Sequence, residues 1–165
     1  MMDEPSKDLA DPRELLAGYL DYYRDVILRK LDGLPDPEVS RVPSGWTPVA
    51  LLKHLAYMER RWFCWDFAGQ EIDDPYGDDG PDGRWSATEP YDEVRAFFLA
   101  QCERSRRVVA EAGDLADLAS TIGRFQPPRT PPTLAWTMFH VLQEYARHAG
   151  HLDIARELAD GATGE

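Results

Sequence analysis

Apolar residues return at helical spacing in four long stretches of this chain, and no stretch alternates convincingly at the period of a strand. The first helix is predicted from Pro12, with Asp11 as cap, Glu14 at the third position and Gly33 as stop. Its apolar positions run from Leu15, Leu16 and Tyr19 through Leu20, Tyr23 and Val26 to Ile27 and Leu31. A second helix is predicted from Pro48, capped by Thr47 and stopped by Gly69. A third runs from about Thr88 to Gly113. The fourth follows the Thr133 cap and ends before Gly161.

Four amphipathic helices predict an all-α fold, a four-helix bundle with long interhelical connections and room for a crossover. The whole chain, 1–165, reads as a single domain with flexible ends at about 1–10 and 160–165. "RFQPPRTPP" excludes a strand before the fourth helix. Gly150 falls inside that helix, where it costs roughly 1 kcal/mol relative to alanine. A close approach by a backbone or a ligand would explain it. Trp62, Trp65, Phe97 and Phe98 are expected to serve the core before any interface.

Charge narrows the partners. The net charge of −12 repels a phosphate backbone, and no basic stripe offsets it, so nucleic acid is not an expected ligand. No run of apolar residues is long enough for a membrane span. The first residues lack the basic start and apolar stretch of a signal peptide, so the cytoplasm is the expected compartment. The two cysteines, Cys64 and Cys102, form no CxxC pair and read as reduced packing thiols rather than nucleophiles.

"DDGPDGRWSATE", residues 78–89, has the outline of a calcium loop. Asp78, Asp82, Gly83 and Glu89 fall at positions one, five, six and twelve. Gly80 at position three offers no side-chain oxygen, and Pro81 stiffens the turn. These departures favour a solvated Asp/Gly/Pro loop that leads into a helix cap.

The chemistry concentrates in "FHVLQEYARHAGHLDIARE", residues 139–157, which holds His140, His148 and His151, with Glu144 between the first two. With His140 at zero on a helical wheel, Glu144 lies at about 40°, His148 at about 80° and His151 at about 20°. Leu134, Val141, Tyr145, Ala149 and Leu152 cluster at about 100–180°. His148 is therefore nearest the core and Glu144 next, with His140 and His151 toward the rim. In the second helix His54 shares the apolar face of Leu51, Met58 and Trp62 and should point inward. Residues four apart stack on one side of a helix, so Glu144 and His148 can converge on one ion while His54 supplies a third ligand. Two imidazoles and a carboxylate suit zinc with an open fourth position, and also accept nickel or iron(II). By spacing alone, a satisfied core histidine beside a solvated ExxxH face remains an equal reading.

At these residues the sequence resembles the DinB-like superfamily of four-helix metalloproteins. "GWTPVALLKHLAYMERRWF" is similar to that family's second helix, with its metal histidine at His54, and "HVLQEYARHAGHLDIARE" to its last. Glutamate at the Glu144 position is the pattern of the mycothiol-dependent isomerase branch, which binds zinc. The resemblance thus implies a metal triad of His54, Glu144 and His148 and a small-thiol cosubstrate such as mycothiol. It also implies a homodimer. His151 replaces a usual glutamine, which leaves it open as fourth ligand, supporting partner or surface residue.

Two functions follow. One is a divalent-metal-dependent S-transferase or isomerase that joins a low-molecular-weight thiol to an electrophile. In that reading His151 or His140 moves a proton, and Arg124 or Arg129 holds a carboxylate of thiol or substrate. The other is a non-catalytic, metal-stabilised dimeric module for binding or structure.

Overall fold

The computed structural model describes residues 2–163. Of the expected flexible ends, Met1, Gly164 and Glu165 lie outside the described residues. The element order is α1 (Pro12–Asp32), α2 (Pro48–Glu59), a π-helical segment (Arg60–Phe67), α3 (Tyr91–Glu111), a short 3-10 turn (Gly123–Phe125) and α4 (Leu134–Asp160). The described residues form an all-α bundle with no named strand; only isolated bridges join Asp79 to Trp85 and Leu118 to Thr133.

The capping signals act as the residue types require. Asp11 accepts hydrogen bonds from the Arg13 and Glu14 amides, Thr47 from Ala50, and Thr133 from Trp136. Gly161 closes α4 at φ 74°, a left-handed conformation that glycine adopts without a Cβ penalty. Arg13 reaches from α1 to the last turn of α3, where it donates to the carbonyls of Ala112 at 2.6 Å and Val109. Those carbonyls have no partner within their own helix.

Helices α1 and α4 pack together, as do α2 and α3, and both α2 and the π segment also reach α4. The inward face of α4 is the expected one: Leu134, Val141, Tyr145, Ala149 and Leu152 are all buried. Phe98 is fully buried, whereas Trp62 and Phe97 lie half-buried against the core.

Three expectations need correction. The second helix does not run regularly to Gly69, because it widens into π geometry after Glu59. Glu59, Arg61 and Asp66 are all buried there, and each is bound to a different part of the fold. An apolar period does not encode that demand. The third helix begins at Tyr91 rather than near Thr88, since a residue that precedes proline, here Glu89, is disfavoured in the helical region. Gly150 is exposed, and a Cβ built there meets nothing within 4 Å, so no close approach accounts for it.

Candidate metal centre

One turn of α4 brings Glu144 and His148 together, with His148 Nε2 at 3.3 Å from Glu144 Oε2. His54 faces them from α2, its ring centroid 5.2 Å from that of His148. One donor atom from each of the three residues lies within 4.8 Å of the others. Among the described residues this is the one such group of three or more metal-ligating side chains.

The donor chemistry fits a zinc-type ion. Two imidazoles and one carboxylate form a known three-ligand catalytic set. Bonds of about 2.0–2.2 Å in a tetrahedron place neighbouring ligand atoms roughly 3.4 Å apart. The 3.3 Å separation of His148 and Glu144 already matches that edge. His148 is 2% exposed. Burial, reinforced by the positive charges that His54, His151 and Arg147 can carry, pushes its pKa down to about 3. At neutral pH its imidazole is therefore uncharged, the form a metal requires.

His54 is held from behind. Its Nδ1 lies 2.9 Å from Asp78 Oδ2, and Trp85 stacks on its ring at 4.5 Å. Asp78 is fully buried and also accepts two hydrogen bonds from Arg61, at 2.5 and 3.1 Å. Burial alone would raise the Asp78 pKa. The hydrogen bonds from His54 and Arg61 outweigh it and hold the carboxyl below its ordinary range. This corrects the reading of 78–89 as a solvated loop at Asp78 alone, since Asp79 and residues 81–84 are exposed. It also takes the calcium reading's first ligand away, since both Asp78 oxygens are engaged. Glu89, at position twelve, is bound to Lys53.

The rim histidines both touch the triad. His151 is half-buried and shares a hydrogen bond with His148 between their Nδ1 atoms, at 3.2 Å. His140 Nε2 lies 3.9 Å from Glu144 Oε1. Its ring stacks on Trp136 at 5.0 Å and meets Trp62 at 4.3 Å. Burial lowers the pKa of each, so both are neutral acceptors at neutral pH. On its other side His140 lines a groove of about 500 Å³ with Tyr19, Trp136, Phe139 and Gln143.

Arg124 is not a free cation. It donates to the buried carboxylate of Asp66, at 2.8 Å through Nε, and its guanidinium lies 4.1 Å over the Trp62 ring. Gly123 permits that approach: its φ is 83°, and a Cβ there would come within 3.0 Å of Asp66 Oδ1. Arg124 thus supports the aromatic wall beside His140. Arg129 is exposed and donates to the Arg124 carbonyl at 3.1 Å.

A second polar cluster lies deeper. Glu59 is fully buried and forms a two-point ion pair with Arg24, at 2.8 and 2.9 Å. Tyr145 donates to the same carboxylate at 2.6 Å, and the Cys102 thiol sits 4.0 Å away. Periodicity places Tyr145 on the apolar face and gives no sign of its partner. Both cysteines are buried and free, and burial pushes the Cys102 thiol up to about 12 and Cys64 upward as well. Neither is set up as a nucleophile.

A family model described as mycothiol-S-transferase matches residues 15–161. No curated protein matches the chain.

Proposed function

From the premise that the chain belongs to the mycothiol S-transferase family, we propose that it is a metal-dependent enzyme that transfers an electrophilic carbon to the sulfur of mycothiol or a related small thiol. The convergence of His54, Glu144 and His148 in one half-buried cluster carries this reading. A divalent ion of the zinc type, held by these three residues, would supply a positive charge that lowers the pKa of a thiol. Nickel or iron(II) would also accept the same donors. Three protein ligands leave one position for a substrate atom, which favours catalysis over a closed structural site.

The chain's own residues do the rest. His140 is a neutral acceptor beside the triad and can take the thiol proton, whereas the Nδ1 of His151 is engaged with that of His148. The sulfur then forms a bond to the electrophilic carbon as the leaving group departs with its electron pair, or as a double bond takes up the pair. The groove beside His140 offers apolar walls for the body of the electrophile. In this reading Arg124 acts through Trp62 rather than by binding a carboxylate, because Asp66 already neutralises it.

Thiol consumption by the Zn²⁺-loaded protein tests the proposal, with mycothiol, bacillithiol and glutathione each paired with a model electrophile. Metal-dependent turnover is expected, with mycothiol preferred. Absence of metal-dependent turnover with any of them would leave the non-catalytic module as the better account.

A further inference from the structure

Asp78 stands out from its surroundings. Its neighbours Asp79, Pro81, Asp82, Gly83 and Arg84 are exposed, yet Asp78 itself has no accessible surface. An acidic side chain is seldom fully buried unless it is paired. Here the pairing is complete. Arg61 grips the carboxylate with both terminal nitrogens and is fixed in turn by the Pro75 carbonyl at 3.1 Å. The remaining interaction of Oδ2 is with His54 Nδ1.

The backbone of the loop is folded to hold this arrangement. The Ser86 amide donates to the Asp78 carbonyl at 2.8 Å, and the Gly80 amide to the Arg84 carbonyl at 2.7 Å. A bridge joins Asp79 to Trp85. Closing the loop on itself puts Trp85 across the His54 ring, with 23° between their planes, and Asp78 against the ring's Nδ1 edge. The π geometry after Glu59 also has a use, since it carries Arg61 on the segment that reaches this loop.

We propose that the 78–86 loop is a positioning clamp for the metal centre, with Asp78 as the residue that decides which nitrogen of His54 faces the ion. An ionised carboxylate can only accept, so His54 must present Nδ1–H to it. Neutral imidazole then has its lone pair on Nε2, the atom left to face Glu144 and His148. Without Asp78 the ring would divide between tautomers and lose its rotational stop. Asp78 touches neither substrate nor metal and is a positioning residue. The clamp rests on the metal reading of His54, Glu144 and His148. Groups of this kind typically change metal affinity by about 10–100-fold.

Two measurements test it. In the metal-free wild-type protein, ¹⁵N NMR of the His54 ring at about pH 8, above the ordinary histidine range, reads the tautomer directly. The clamp requires a protonated Nδ1 and a bare Nε2. The opposite tautomer overturns it. Titration of Asp78→Asn with Zn²⁺ should then give an affinity about 10–100-fold below wild type, with a mixed tautomer in the same spectrum. An unchanged affinity overturns the clamp and leaves the triad standing. Failure of the wild type to bind Zn²⁺ removes the triad and the clamp with it. Should Asp78→Asn not fold, the wild-type spectrum decides by itself.

Discussion

Glu144→Gln is expected to abolish tight Zn²⁺ binding while the bundle stays folded. The substitution keeps the size of a half-buried side chain, so packing changes little. It removes the one carboxylate of the three-residue cluster, and with it the charge that would make two neutral imidazoles and an ion a favourable combination. The loss in affinity should exceed the roughly 10–100-fold typical of a supporting group, because a ligand itself is lost. His148→Ala should lose metal as completely, but with a drop in stability. His148 is buried, and truncation leaves a cavity in the wall of α4. Circular dichroism and Zn²⁺ titration of both variants separate the two effects. Wild-type affinity in either would show that the residue is not a ligand.

The second large effect concerns folding. Glu59→Ala is expected to destabilise the protein by about 3 kcal/mol, because it removes the buried partner of the Arg24 guanidinium and leaves only the partly exposed Asp21 to balance it. The Tyr145 hydroxyl loses its acceptor in the same step. Replacing Arg24 and Glu59 together by apolar residues should recover part of that loss, since no uncompensated charge then remains. Urea denaturation of the single and double variants measures both. A cost below about 1 kcal/mol for Glu59→Ala would mean that the pair is hydrated or otherwise compensated.

The contrast between Glu144 and Glu59 shows how much a single sequence reveals. Glu144 was legible because its partners lie on its own helix, and a wheel at 100° per residue puts it beside His148. His54 was legible because an ionisable group on an apolar face needs a polar partner, and α4 offered the obvious one. The caps at Asp11, Thr47 and Thr133 were legible because their bonds span two or three residues. Glu59 was not. Its partner Arg24 is on α1, and although both charges sit on buried faces of their helices, spacing within either helix does not pair them. Asp78 was noticed for the wrong chemistry. Its spacing resembles that of a calcium loop, while its burial depends on Arg61, seventeen residues earlier. The π segment left no trace in the apolar period, and it buries Arg61 and Asp66 alongside Phe63 and Cys64. Nor does spacing reveal that Arg124 is matched by Asp66, since that pair joins distant segments. Local geometry was readable, and apart from His54 the pairs joined only by the tertiary fold were not.

Calorimetric titration of metal-stripped wild-type protein with Zn²⁺ decides whether His54, Glu144 and His148 together hold one metal ion. A single tight site per chain is expected, lost in His54→Ala and in Glu144→Gln. No binding by the wild type, or binding that survives both substitutions, would mean that these three residues do not form the site.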